Sequence, residues 1–600
     1  MMWAQASVWL LAAAMGQAPA EAPPAWLKAV PAEADVVVRC RGIASASDDL
    51  KAMLNAASPN AAATAVPMID QFVDQWKGQY GADVVDAPVV GLLRGEAPGP
   101  DGVPPFAILV MKDDAKGVLK ALAGGKDVAT KAEEGGYESF ASPFGAGSWY
   151  AVDGDGFTAF GPDEALIAGV AKPGDKSLAA SLTPALATPF LAGDLGVYVN
   201  AARLAERYGE QIDQARQALM ATLDQAANNA PNGASMDTIK EMYAGMFDSL
   251  KTARSLALNL DFAAEGLRIA GRFEMKPAAG AKPVEAVEEL PAEFARLAPD
   301  AAFYIYMNMS ADTVQQWQGM SLRMLNPTGE GSPAMARVME RFKTLGRIKT
   351  FGTSTMAGGM RTFNVTEASD PKVYLEAIEA TFQAMKDADS PFNLYKEVEV
   401  ERDAKVHGGV NFTRITATFD VDKIAKLGQG GGADQIKAML GGDSMSYWTG
   451  VDGRRVIQVT APTWEEAEAR LNQFAKGDST VGSLAGFRQV RSELADRASF
   501  LAIVNGQGIT RMMAAQMAAT TNRPDLKEPA GLPAEPAFFG VSATPDGPGA
   551  YDFRASLPSA MGPVVENGLI PVFRNAQPRP PAVAPTRTPP PATAPAPPSR

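Results

Sequence analysis

The sequence predicts an α+β protein of two tandem related domains, each an antiparallel or mixed sheet with helices packed on one side. Three observations carry this reading. Trp149 to Ala171 reads as strand, tight turn, strand and helix, and the same pattern returns from Tyr447 to Ala467. Further elements recur in the same order, at an offset that grows slowly from Pro31/Pro299 to Asn200/Asn505, as in a duplicated architecture with insertions. The chain has 600 residues, 46% hydrophobic and 20% charged, which is a globular composition long enough for more than one domain.

The elements follow in order. Ala6 to Gly16 is an uncharged apolar run before Ala18-Pro19-Ala20, so residues 1–20 read as a secretory signal peptide, with a short uncleaved anchor as the rival because no Lys or Arg precedes the run. The first repeat is assigned to 21–278. It opens with strand Val36 to Arg39, and Ser47-Asp48-Asp49 could cap the helix after it; Phe303 to Met307 and Ser310-Ala311-Asp312 are the counterparts. Strand Phe106 to Met111 runs through Asp114 into a helix, as Thr362 to Thr366 runs through Asp370, and both aspartates read as N-caps, with Pro371 at the first helical position. Gly135-Gly136 and Gly408-Gly409 are glycine turns, and His407 beside the second reads as an exposed turn residue.

Ala201 to Lys251 reads as an inserted helical hairpin. One stripe is Leu204, Tyr208, Ile212, Leu219 and Leu223, the other Ile239, Met242, Tyr243, Met246 and Leu250, with the breaker Asn228 to Gly233 between them. Strand pairs close each copy: Ser255 to Phe262 with Gly266 to Met275, and Ala537 to Thr544 with Ala550 to Leu557. An Ala/Pro/Glu-rich linker occupies 279–291, the second repeat 292–562, and a Pro/Ala-rich tail 563–600 is expected to be extended and disordered.

Composition removes several chemistries. With one His and one Cys (His407, Cys40), any Ser-His-Asp or Cys-His arrangement would have to use His407, no zinc site of several such ligands is available and no internal disulfide can form. Cys40, after Val36-Val37-Val38, reads as a small buried thiol. A net charge of −13 gives no footprint for nucleic acid. Asp153 and Asp155 in Asp153-Gly154-Asp155-Gly156 are weak calcium candidates; the second copy has Asp452-Gly453-Arg454-Arg455, so a type I′ turn explains both where a metal explains one at most. Gly428 to Gly432 lacks the Gly-Lys-Ser/Thr ending of a P-loop and reads as a flexible link. No catalytic residue and no cofactor is assigned.

The order Pro31-Ala32-Glu33-Ala34-Asp35 into a strand, Gly135-Gly136-Tyr137, Ala151-Val152-Asp153-Gly154, Pro162-Asp163-Glu164-Ala165-Leu166, Ser177-Leu178-Ala179-Ala180-Ser181 and Ser255-Leu256-Ala257-Leu258-Asn259-Leu260 resembles an extracytoplasmic bacterial family known as domain of unknown function 3352. The resemblance covers about Pro31 to Met275 and, more loosely, the second copy. It implies an exported protein, periplasmic, in the cell envelope or secreted, with a non-enzymatic or unknown role, and carries over no catalytic residue.

The expected function is therefore an exported envelope protein that binds or scaffolds, whose partner is an envelope protein or polymer, with no membrane span beyond the signal segment. Its expected contact surfaces are the cleft between the copies and the hairpin, through Leu204, Tyr208, Ile212, Met242, Tyr243 and Met246; the plainer reading of those residues is that the stripes bury each other. The alternatives are a carboxylate-dependent hydrolase on cell-wall or polysaccharide substrate, and an apolar-ligand-binding protein.

Overall fold

A computed structural model describes residues 24–576 except 97–103, 113, 143–146, 174–176, 230–236, 278–279, 281–283, 315–337, 339, 343, 356–358, 388–394, 428–436, 438–440 and 522–530. The signal segment, the Gly428 to Gly432 link and the tail beyond 576 lie outside the described residues, as does the centre of the hairpin breaker.

The first ten strands are β1 (Val36–Cys40), β2 (Val89–Leu93), β3 (Phe106–Val110), β4 (Lys131–Ala132), β5 (Glu138–Ala141), β6 (Ser148–Gly154), β7 (Phe157–Gly161), β8 (Leu195–Val199), β9 (Ala253–Ala263) and β10 (Gly266–Met275). The second ten are β11 (Phe303–Met309), β12 (Ile348–Thr355), β13 (Arg361–Ala368), β14 (Tyr395–His407), β15 (Val410–Phe419), β16 (Ser444–Asp452), β17 (Arg455–Thr460), β18 (Phe500–Asn505), β19 (Phe538–Pro545) and β20 (Ala550–Pro558). All their pairings are antiparallel. From one edge the order is β4, β5, β6, β7, β3, β2, β1, β8, β9, β10, and it continues as β20, β19, β18, β11, β12, β13, β17, β16, β15, β14. The second ten thus repeat the spatial order of the first ten, read from the opposite edge.

No cleft separates the halves. β10 pairs with β20 from Gly266↔Pro558 to Glu274↔Ala550, so the sheet is continuous where an interdomain cleft was expected. Arg272 is buried at this seam, where Glu274, Asp546 and Asp552 accept from it at 2.9, 2.8 and 3.0 Å. Burial alone would depress the guanidinium's pKa, but these carboxylates outweigh it and raise the value instead.

Helices cover both faces of the sheet, not one. Side chains alternate across a strand, and both phases are apolar. Leu109, Val152 and Ala159 pack with Leu166 and Ile167 of helix Glu164–Ala171 and with Phe190 of helix Pro184–Leu191. Their neighbours Val110, Ala151 and Phe160 pack with Val118, Leu119 and Leu122 of helix Ala115–Leu122, and with Trp76. The second half does the same, with Trp448 in one core and Tyr447 in the other. Strands buried on two faces lose the clean alternation from which one-sided packing was inferred.

The caps on Asp114 and Asp370 hold: Asp114 accepts from Gly117 N at 2.9 Å, and Asp370 from Lys372 N and Val373 N at 3.0 and 3.1 Å. Ser310 caps through Thr313 N at 3.2 Å. Ser47-Asp48-Asp49 does not cap, because that helix begins at Ile43; Asp48 and Asp49 instead pair with Lys51 and Arg41. Asn200 and Asn505 are structural equivalents. The backbone N–H of each donates to the carbonyl of the residue before β1 or β11 (Asp35 O, Ala302 O), and the side-chain oxygen of each caps the next helix by accepting from Arg203 N or Gly508 N.

Two boundaries differ from expectation. The linker's last residues are docked, with Leu290 N on Asp496 O, Glu289 bridged to Arg497, and Glu288 paired with Lys349. The tail does not become extended at 563, since Met561–Val564, Val565–Leu569 and Ile570–Ala576 are helical and bury Met561, Val564 and Val572. At the outer edge, β14 carries register shifts at Tyr395/Glu397 and Glu401/Lys405 and exposes Glu397, Glu399 and Glu401, devices that blunt a long free edge.

Candidate functional site

Asp153 sits on β6 opposite Thr158 of β7, and the Thr158 hydroxyl donates to it at 2.9 Å. Asp155 is exposed at the turn tip, and among the described residues no group of three or more His, Cys, Asp or Glu could hold a metal. The turns themselves are not type I′, which needs positive φ at both central residues. Between Gly154 and Phe157 only Gly156 is positive (78°), and between Asp452 and Arg455 only Gly453 (60°), so the two Asp-Gly pairs occupy different corners of their turns. Gly408 (56°) and Gly409 (81°) do form such a pair, at the end of β14. His407 is the last residue of β14, four-fifths covered at its side chain, with its ring 6.5 Å from that of Trp464. Cys40 is half-buried, and burial pushes its thiol pKa up.

The hairpin residues divide. Leu204 and Tyr208 close onto the sheet end at Gly95: the Tyr208 hydroxyl donates to Gly95 O, and a Cβ on Gly95 would meet Leu204 Cδ2 at 2.7 Å. Beneath them Asp35, wholly buried, accepts from Gly95 N at 2.7 Å and Arg203 Nε at 3.1 Å, and pairs with Arg207. Helices Gly209–Asn229 and Asp237–Thr252 are clipped together by Arg216–Asp248 at 2.9 Å and by the Lys251–Asp213 pair. Ile212 and Tyr243 are half-buried, Met246 is 48% exposed, and the Met242 side chain lies outside what is described. Packing therefore uses Leu204 and Tyr208, and of the five candidates whose side chains are described only Met246 is open as a partner surface would require.

The geometry brings a different set together. Helix Trp464–Lys476 is anchored by its first turn: Trp464 packs at 5.0 Å from Trp448 and 5.5 Å from Phe412, and the Trp448 indole donates to Ala461 O at 3.2 Å. Trp464, Ala467 and Leu471 face this core, and helical periodicity then turns Glu466, Ala469, Arg470 and Gln473 toward the sheet end. There they line a cleft of about 420 Å³ with Asp300, Thr353, Thr355, Arg361 and Thr460. Arg470 grips Asp300 with both terminal nitrogens (2.7 and 2.6 Å), and Arg361 Nε donates to Glu466 at 3.1 Å. Burial would raise the Asp300 pKa, but the Arg470 hydrogen bonds and charge prevail and hold it below the ordinary carboxylate value.

The first half has no such cleft surface on its helix. Counting from the N-caps Asp163 and Thr463, Leu166 and Val170 stand where Glu466 and Arg470 do, and both are buried in the core. In the sequence Glu465 and Glu466 read as solvated charge on a helix surface, since the arginines that pair in the cleft are remote along the chain. The one available signal was the polar substitution between copies at these two helix positions. A second, larger opening of about 780 Å³ is a groove on helix Pro59–Tyr80 lined by Pro67, Asp70, Gln71, Asp74 and Gln75, with no enclosing apolar wall.

No family model, curated protein or solved structure matches the chain.

Proposed function

We propose that this is an exported envelope protein that binds its ligand without transforming it, and that its site is the cleft beneath helix Trp464–Lys476. The observation that carries the reading is that both cleft carboxylates are committed to arginines, Asp300 to Arg470 and Glu466 to Arg361. A carboxylate hydrolase needs one acid kept protonated near neutral pH by a raised pKa. Asp300 is displaced the other way. Asp194, whose pKa is raised by burial, is the opposite case, but it serves the fold: it accepts from Phe262 N at 2.7 Å and pairs with Arg41.

The same proposal takes the chain as two tandem repeats of one ten-strand unit, supported by the mirrored strand order and the equivalence of Asn200 and Asn505. Export rests on residues 1–20, and the envelope setting on the resemblance to domain of unknown function 3352. Among the described residues no helix is long and apolar enough to cross a membrane, in keeping with a protein that has no integral span there. The ligand is an envelope polymer or protein fragment small enough to enter the cleft.

Incubation with soluble envelope fragments, followed by mass spectrometry of what is retained, tests this. Binding without transformation predicts fragments recovered at unchanged mass and lost from an Arg361→Gln variant. Cleaved fragments whose production stops in Asp300→Asn or Glu466→Gln variants would establish the hydrolase instead.

A further inference from the structure

The geometry points to a carboxylate group as the ligand's recognised feature, held by the outer edge of the Arg361 guanidinium; this rests on the cleft being the functional site. The two cleft arginines are used differently. Arg470 spends its terminal nitrogens on Asp300, whereas Glu466 engages only Nε of Arg361. Nη1 and Nη2 of Arg361 bond to no described residue and present two parallel donors at the cleft wall. Directly across the β12–β13 ladder stands Thr355, with Thr353 two residues along on the same face, and neither hydroxyl has a hydrogen-bond partner among the described residues. Thr353 is nevertheless 92% buried by residue surface, since its exposure is 8%. A planar fork flanked by hydroxyl donors matches a planar two-oxygen acceptor.

Charge narrows the class. Two arginines and two carboxylates leave the cleft neutral, on a chain of net charge −13. A monoanion gains the fork's charge-assisted bonds, while a dianionic phosphate ester would meet Glu466 and Asp300 with nothing to offset its second charge. A volume of about 420 Å³ admits a small molecule or the terminal group of a polymer, and the adjoining wall at Ala301, Ala461 and Ala469 is small and apolar. A free organic acid, a uronic acid residue and a peptide C-terminus share this chemistry.

The test titrates the mature chain with acetate, N-acetylalanine and glucuronate, each beside its neutral counterpart (acetamide, N-acetylalanine amide, glucose), by ligand-observed NMR. At least one acid is expected to bind about tenfold more tightly than its counterpart, and Arg361→Lys, which keeps charge and removes the fork, to erase that preference. Glu466→Gln, which removes the competing carboxylate, is expected to strengthen it. Equal binding of acid and neutral partner, or a preference that survives Arg361→Lys in a variant with unchanged thermal midpoint, overturns the inference. So does the absence of binding by every acid up to roughly 50 mM. Should those acids fail while envelope fragments are still retained through the cleft, the carboxylate assignment falls and the binding reading stands; if retention fails as well, both fall.

Discussion

The Arg470–Asp300 pair makes stability depend on pH. The Asp300 pKa in the folded chain lies below its ordinary 3.8, so the pair's contribution is fully present above that value and is lost as pH falls through it toward the lowered one. Arg470→Met should lower stability at pH 7 by only about 0.5–1 kcal/mol, because both side chains reach solvent. The gap to wild type should stay constant down to about pH 5 and narrow as pH falls below 3.8 toward the lowered value, as urea unfolding across that range would show. Arg272 is the harsher case. Its side chain is 8% exposed and faces three carboxylates, two of them half-exposed or more, so Arg272→Met should cost about 2 kcal/mol, less than for a fully buried pair. These pairings were not legible in the sequence, since a charged residue on a helix or strand looks alike whether its partner is water or an opposite charge remote in the chain.

At the scale of elements the sequence was more informative. Caps at Asp114, Asp370 and Ser310, the closing hairpins β9–β10 and β19–β20, and the helical hairpin follow from local periodicity and capping chemistry, which need no knowledge of the far chain. The helices at 561–576 fall in the stretch assigned to the Pro/Ala-rich tail on composition, whereas burial of Val564 and Val572 sustains them. Their docking gives a sharp prediction. A Cβ on Gly562 would lie 1.6 Å from Ala57 O, backbone of the first half's helix Ile43–Ala57, so Gly562→Ala must move one element off the other. A loss of about 1–3 kcal/mol is expected, with faster hydrogen exchange confined first to 561–576. Unchanged exchange there would mean the two elements do not depend on each other.

The molecule as a whole differs from its sequence reading mainly in how the halves meet. Repetition of elements was visible along the chain, but which strands lie at the join was not, because both β10 and β20 read as ordinary closing strands. Their pairing makes one twenty-stranded sheet. Tryptophans on either side should therefore report one denaturant midpoint: variants keeping only Trp149 or only Trp448 are expected to unfold together, and two separated midpoints would show that the seam does not couple the halves. The two halves also differ at the proposed site, since one buries Leu166 and Val170 where the other lines a cleft with Glu466 and Arg470.

Site-specific capture tests that claim most directly. A benzophenone side chain replacing Ala469 in the cleft, and separately Met246 on the hairpin, is irradiated with the envelope fraction. A ligand adduct is expected from position 469, abolished by Arg361→Gln, and none from 246; an adduct from 246 alone would move the site to the helical hairpin.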